Sequence, residues 1–153
     1  MTVGRLASAV VVAVAALACW REPARPGSLD TRNDACAHCR MAVSDARFAA
    51  QIAAPGEDPR FFDDLGCLRG YLGTRPRLPR GSVAFVADHR TREWVRASQA
   101  VFTKREALET PMASHLVAHA SAASRDGDPA ASGGTAVASA ELFGPAGPPD
   151  VSP

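Results

Sequence analysis

Residues 61–73 read FFDDLGCLRGYLG, and this stretch decides the fold because it joins a strand to a helix. Phe61 and Phe62 predict a short buried strand. Asp63 or Asp64 supplies an N-cap, because an aspartate side chain accepts the free N–H groups of a first helical turn. The apolar positions in 65–72 then predict a helix, and Gly73 ends it. The stretch therefore predicts the strand-to-helix step of an α+β fold.

Strand patterns flank this step on both sides and suggest a duplication. On the N-terminal side, residues 40–43 and 47–53 predict two strands around a turn at Ser44 and Asp45. On the C-terminal side, further strands are predicted, followed by a helix over 112–120 with Thr110 as N-cap and Pro111 as its first residue. These strands cover residues 82–88 and 93–96. We therefore predict an α+β domain over 35–121, built from two small duplicated ββα units.

The segment Cys36-Ala-His-Cys39-Arg-Met41 places two thiols, an imidazole and a thioether within six residues. Thiolate and thioether sulfur are soft ligands that favour Cu(I) over Mg, Ca or Mn. If Cys39 starts a strand, Cys39 and Met41 point to one face, because strand side chains alternate. A cysteine and a methionine alone would equally fit a hydrophobic core. With Cys36 and His38 beside them, metal binding is the better interpretation.

Two other regions carry further candidate ligands. Cys67 lies one turn into the predicted helix, whose N-terminus would lower its thiol pKa, and it is either a third sulfur ligand or a small buried residue. Met112, His115 and His119 share one face if their segment is helical. The two histidines fit the solvated edge of a core equally well. Met112 follows a rigid Thr-Pro pair and could present its thioether at the mouth of a site.

Both ends of the chain differ in composition from the middle. Residues 1–18 have Arg5 followed by an apolar run that is too short for a membrane span of about 20 residues, which is typical of a signal peptide. Ala18-Cys19 resembles a bacterial lipoprotein signal, so we expect acylation of Cys19, such as by palmitate. Residues 19–34 predict a tether. Residues 122–153 predict a mostly disordered tail, in which an edge strand could form over 135–143.

Charge and cysteine count restrict the function further. A formal charge of +1 without a basic cluster argues against a nucleic-acid partner. If Cys19 is lipidated, Cys36, Cys39 and Cys67 remain, and an odd number of thiols in an exported chain leaves at least one free or bound to something. Two alternatives to copper stay open. One is a structural zinc site from these three cysteines and one histidine, and the other is a thiol oxidoreductase or a lyase.

Six motifs in order carry a resemblance to the NosL family, lipoproteins described as nitrous oxide reductase accessory proteins. They run from Cys36-x-x-Cys39-x-Met41 to Thr110-Pro111-Met112 and include Arg47-Phe-Ala-Ala-Gln-Ile, Phe62-Asp-Asp-Leu-Gly-Cys67, Val86-Ala-Asp and Trp94-Val-x-Ala. Arg40 and Ala113 stand where many members have glycine. The resemblance implies a duplicated ββα fold, shared distantly with the amino-terminal region of organomercurial lyase.

The resemblance also implies a function and a set of ligands. It implies a Cu(I) metallochaperone rather than an enzyme, anchored by lipid outside the cytoplasm, on the periplasmic side in a Gram-negative host. Its partner would be a copper-accepting protein such as nitrous oxide reductase or its maturation transporter. Cys39 and Met41 would be the main Cu(I) ligands and Met112 a distal one. Cys36 is a further ligand that the resemblance suggests, and Cys67 and His115, candidates from the residues alone, complete the set.

Overall fold

A computed structural model describes residues 22–150. The predicted signal segment and Cys19 lie outside the described residues. Within them, two small antiparallel sheets and three α-helices form a mixed arrangement that agrees with the α+β class. In this part of the chain no helix is both long enough and apolar enough to cross a membrane.

The first sheet has four strands in the order β2-β1-β3-β4. They are β1 (Ala50–Ala53), β2 (Arg60–Phe62), β3 (Val83–Ala87) and β4 (Trp94–Arg96). The central strand β1 pairs Ala50 with Phe62 of β2 and with Val86 of β3. Every residue of β1 and β3 is buried, because apolar side chains cover both faces of these strands. The strands predicted around residues 50, 61 and 85 are therefore confirmed.

Helix α1 spans Leu65–Gly73 and follows β2 after two aspartates. The side chain of Asp64 accepts the N–H of Cys67 at 3.0 Å, which confirms the predicted N-cap. Leu65, Cys67 and Leu68 are buried in the main core. The strand-to-helix step predicted from residues 61–73 is thus present, and it places Cys67 at the buried start of the helix.

The second sheet corrects the prediction of a helix over residues 112–120. Its strands are β5 (Val101–Lys104), β6 (Leu116–His119) and β7 (Thr135–Val137), in the order β6-β5-β7. Ala113 and His115 have φ of 52° and 59°, outside the right-handed helical region, and the four buried residues of β6 pair with β5 instead. The first ββα unit therefore has no counterpart that ends in the predicted helix.

The strand predicted over residues 40–43 is also absent. Only an isolated bridge joins Ala35 to Ala42 there, and Arg40 has a left-handed φ of 69°. This backbone conformation cannot continue a strand. Strand alternation therefore does not place Cys39 and Met41 on one face in this loop.

The C-terminal segment has regular structure where a mostly disordered tail was expected. It contains α2 (Ala122–Asp126), a 3₁₀ helix (Pro129–Ala131), β7 and α3 (Ser139–Phe143), so the predicted edge-strand range 135–143 holds a strand followed by a helix. Leu142 is buried in the main core, and the carbonyl of Pro149 accepts the N–H of Ala84 at 2.7 Å. These few contacts attach the segment to the sheets, although its composition is rich in Ala, Ser, Gly and Pro.

The predicted tether also makes packing contacts at its described end. Ala24 is buried against Val83 and Phe85 on one face of the first sheet. The fully buried side-chain amide of Gln51 accepts the N–H of Gly27 at 2.7 Å and donates to its carbonyl at 3.1 Å. Residues 24–27 therefore lie against the sheet and are not a free linker.

Candidate metal centre

Three thiols from two separate segments converge at the start of α1. The sulfur atoms of Cys36, Cys39 and Cys67 all lie within 4.8 Å of one another. All three are free cysteines; Cys36 and Cys67 are buried and Cys39 is partly exposed. Thiolate is a soft ligand, so this cluster is a candidate metal centre.

A tight loop holds the first two thiols. The N–H of Cys36 donates to the carbonyl of Met41 at 2.8 Å, and the N–H of Arg40 donates to the carbonyl of Cys36 at 3.0 Å. The left-handed conformation of Arg40 lets the chain reverse at this point. The loop thus brings Cys36 and Cys39, three residues apart, together on its inner side, with the N–H of Cys39 at 3.5 Å from the sulfur of Cys36.

The third thiol reaches the same place through β2 and α1. The N–H of Ala37 donates to the carbonyl of Phe61 at 2.8 Å, which fixes the cysteine loop against the end of β2. The chain then passes Asp63 and Asp64 and enters α1, whose third residue is Cys67. The strand-to-helix step therefore decides the geometry of the site as well as that of the fold.

Asp64 connects this helix start to a third segment. It is fully buried, and its second carboxylate oxygen accepts the Thr110 hydroxyl at 3.2 Å and the N–H of Met112 at 3.1 Å. One carboxylate thus holds the first turn of α1 and the loop that carries Met112. The sequence predicted the capping role of Asp64, but no local pattern reveals a partner almost fifty residues away.

The three thiols differ in their surroundings and therefore in acidity. Burial acts to raise the pKa of Cys36, but the backbone N–H groups of Cys39, Asp63 and His38 point at its sulfur and hold the pKa below the ordinary value. Burial raises the pKa of Cys39, although the N–H of Met41 opposes this effect. Burial and the two neighbouring thiols raise the pKa of Cys67 strongly. Cys36 is thus the thiol that ionises first, and the helix N-terminus does not lower the pKa of Cys67 as the sequence suggested.

The other predicted ligands differ from the thiols in exposure or in contacts. Met41 leaves the cysteine loop with 52% of its surface exposed, and Met112 is 39% exposed. His115 is not brought to the thiols, and its Nδ1 lies 2.8 Å from the carbonyl oxygen of Leu108. His38 packs over Gly70 of α1, where a Cβ atom would lie 2.7 Å from its Nε2.

Sequence analysis missed a second group of ligand-type residues. His89, His119 and Asp128 come together elsewhere in the fold, and all three are buried. His89 lies between two predicted strands, His119 in the predicted helix over 112–120 and Asp128 in the tail predicted to be mostly disordered. No spacing in the sequence could have connected them, because the association depends on β6 being a strand and on an ordered C-terminal segment.

Comparisons of the chain with models of protein families, with curated proteins and with solved structures give no match. The resemblance to the NosL family therefore stays an expectation from the sequence.

Proposed function

We propose that the three-thiol cluster binds Cu(I) and that the protein is a Cu(I) metallochaperone. The observation that carries this proposal is the convergence of exactly three cysteine sulfurs, without a histidine or carboxylate ligand in the same group among residues 22–150. A structural zinc site requires four ligands in a tetrahedron. Soft thiolates with an incomplete tetrahedral set favour Cu(I).

The electrostatics of the loop support thiolate ligation. The species that binds metal is the thiolate, and three backbone N–H groups stabilise it at Cys36. Cys39 and Cys67 have raised pKa values without metal, so their deprotonation would accompany Cu(I) binding. Affinity should therefore rise with pH as these two thiols lose their protons.

The exposure of the cluster supports transfer rather than permanent storage. Cys39 is its partly exposed member, and the exposed Met41 lies two residues further along the same loop. An incoming sulfur of an acceptor could therefore attack the ion from the Cys39 side while Cys36 and Cys67 still hold it. Met41 and Met112, the thioether ligands implied by the family resemblance, would assist this exchange.

A thiol oxidoreductase is the second candidate, because Cys36 has a lowered pKa and two thiols close by. A lyase has weaker support. Its acidic proton donor beside Cys67 would have to be Asp64, yet both oxygens of this buried carboxylate are engaged by Cys67, Thr110 and Met112. That side chain is held in a positioning role.

The cellular setting of the proposal comes from the sequence. The lipoprotein-type signal at Cys19 would hold the domain at the outer face of the cytoplasmic membrane or in the periplasm. The family resemblance suggests a copper-accepting protein as partner, such as nitrous oxide reductase or its maturation transporter. Incorporation of labelled palmitate tests the anchor: it should be lost in Cys19→Ala, and unchanged labelling would refute it.

The copper proposal is tested by anaerobic titration with Cu(I) against a colorimetric chelator. We expect one tightly bound ion per chain. The affinity should fall by more than about 100-fold in Cys36→Ser, Cys39→Ser or Cys67→Ser. Removal of a residue that only hydrogen-bonds to a metal ligand already costs about 10–100-fold, and these variants remove a ligand itself. Cys19→Ser is the matched control and should bind normally. Turnover in an insulin-reduction assay, together with weak Cu(I) binding, would favour the oxidoreductase.

A further inference from the structure

A buried cluster of two imidazoles and one carboxylate lies apart from the three thiols. Nδ1 of His89 lies 2.6 Å and Nε2 of His119 lies 2.9 Å from the same oxygen, Oδ2 of Asp128. His119 is fully buried, and His89 and Asp128 are each 7% exposed. The potential ligand atoms of the three residues all lie within 4.8 Å of one another.

Three different parts of the fold deliver these side chains. His89 follows β3 of the first sheet, His119 ends β6 of the second sheet, and Asp128 is the N-cap of the 3₁₀ helix. The N–H of His89 also donates to the carbonyl of Ala118 at 2.9 Å, which ties the two sheets together beside the cluster. Hydrogen bonds at this cluster therefore link both sheets to the C-terminal segment.

The surroundings fix the orientation of each side chain. Oδ1 of Asp128 accepts the N–H of Ala130 at 2.8 Å, which leaves Oδ2 facing the two rings. The ring of His89 packs against Phe48 at 5.0 Å between centroids and lies 6.3 Å from the ring of His119. The three ligand atoms are consequently held in place by contacts that do not involve an ion.

The outer nitrogens of the two rings have no partner. If each ring donates to Asp128, Nε2 of His89 and Nδ1 of His119 remain buried without a partner in the described part of the chain. An ion held by the two inner nitrogens would not contact these outer nitrogens, so they cost free energy with or without metal. Coordination through the inner nitrogens contributes far more than a hydrogen bond and can offset this cost.

We propose that His89, His119 and Asp128 form a second metal site, which binds a divalent cation of the zinc class through three protein ligands, leaves the fourth tetrahedral position to a water molecule, and cross-links the two sheets to the C-terminal segment. Imidazole nitrogen and carboxylate oxygen suit such ions, whereas the thiol cluster suits a soft monovalent one. Bonds of about 2.0–2.1 Å in a tetrahedron place ligand atoms about 3.3 Å apart. The two distances from the ring nitrogens to Oδ2 of Asp128 must therefore each lengthen by less than about 1 Å.

The first test adds Zn²⁺ to the full chain with Cys36, Cys39 and Cys67 changed to Ala, so that the thiols cannot contribute. At a hundredfold excess over Kd, we expect Tm to rise by roughly 5–10 °C. His89→Gln and His119→Gln should abolish the rise. His38→Gln and His115→Gln are the matched controls, because they remove the two histidines outside the cluster, and they should retain it.

The second test uses the unaltered chain and does not depend on variants that fold. If both neutral rings donate to Asp128, His89 carries its proton on Nδ1 and His119 on Nε2 without metal. Metal binding moves the proton to the other nitrogen of each ring, which histidine ¹⁵N NMR detects directly. In the variant that lacks Cys36, Cys39 and Cys67, Co²⁺ should give ligand-field bands without a thiolate charge-transfer band. Unchanged tautomers and an unchanged Tm with Zn²⁺ would overturn the proposal and leave a hydrogen-bonded triad.

Discussion

At the scale of single residues, the three thiols have unequal roles. Cys36 is stabilised as a thiolate by backbone N–H groups, Cys67 is buried on the helix, and Cys39 is accessible from solvent. A buried ligand holds an ion, whereas an accessible ligand can be displaced by an incoming sulfur. We therefore expect Cys36 and Cys67 to retain the ion and Cys39 to release it.

Cys67→Ser tests the part of the site that the family resemblance emphasises least. A neutral hydroxyl replaces a thiolate, so Cu(I) should be held by two sulfurs and lost to chelators that the unaltered chain resists. The variant buries a hydroxyl in the core, so the free energy of unfolding without metal should fall by about 1–3 kcal/mol. Competition titration and urea denaturation measure the two effects. Unaltered Cu(I) affinity would mean that Cys67 is a core residue only.

Met41→Leu tests the role of the exposed thioether beside Cys39. The volume is conserved and the side chain is half exposed, so the free energy of unfolding should change by less than about 1.5 kcal/mol. We expect slower transfer of Cu(I) to an acceptor thiol, measured by stopped-flow absorbance. Its effect on equilibrium affinity should be smaller than that of Cys67→Ser. An unchanged transfer rate would remove Met41 from the mechanism.

At the scale of secondary-structure elements, Asp64 joins α1 to the loop that carries Met112. Oδ1 caps the helix at Cys67, and Oδ2 accepts from Thr110 and Met112. The cap positions Cys67, and the hydrogen bonds from Thr110 and Met112 hold their loop at the start of the helix. A single buried carboxylate thus couples two elements of the site.

Asp64→Asn separates these two roles. An asparagine can still cap the helix with its oxygen, but its NH₂ group cannot accept from Thr110 and Met112. We expect the free energy of unfolding to fall by about 1–3 kcal/mol, because a buried donor loses its acceptor. The matched control is Asp63→Asn, where burial raises the pKa of the carboxyl and Oδ1 has no partner among the described residues. Denaturant unfolding should show a smaller loss in the control, and equal losses would contradict this assignment.

The secondary structure was predictable where local signals agree with the packing. The Asp64 cap, the apolar run after it and the apolar strand around Phe85 all act within a few residues, so sequence reading found them. Residues 112–120 were misassigned because Thr110 and Pro111 match an N-cap followed by a first helical residue. There, pairing with β5 and the left-handed conformations of Ala113 and His115 determine the result. These are tertiary effects without a local signature.

At the scale of the whole molecule, Asp88 connects the two sheets and the C-terminal segment. It is fully buried at the end of β3. It accepts N–H groups of Arg90 and Thr91 within its own turn, and the N–H of Ala120 and the hydroxyl of Ser124 beyond β6. Burial alone would raise the pKa of Asp88, but these four donors lower it to about 2 from 3.8.

This lowered pKa predicts a specific acid sensitivity. The folded state binds its proton only near pH 2 and the unfolded state already near pH 3.8, so acid favours unfolding. The stabilisation, about 2 kcal/mol, is fully present above about pH 5 and is lost as the pH falls towards 2. Urea unfolding from pH 6 to 2 should show this slope, and Asp88→Asn should remove that share of it. The control Asp126→Asn should keep it. The same slope in Asp88→Asn would contradict the prediction.

The convergence of the three thiols was only partly predictable, because it too depends on tertiary contacts that have no local signature. The Cys36 and Cys39 pair is visible in the sequence because its members are three residues apart. Cys67 was identified as a candidate, but its position beside them depends on the bond between Ala37 and Phe61. The second cluster, of His89, His119 and Asp128, requires the packing of both sheets and the C-terminal segment. No local sequence pattern therefore predicts it.

The central claim is that three thiolates of one chain hold one Cu(I). Copper K-edge X-ray absorption on the anaerobic Cu(I)-loaded protein measures it most directly, because it counts the sulfur neighbours of the ion. The account predicts three sulfur neighbours in the unaltered chain and one fewer in Cys67→Ser. Two sulfur neighbours in both proteins, or a shell dominated by nitrogen and oxygen, would contradict it.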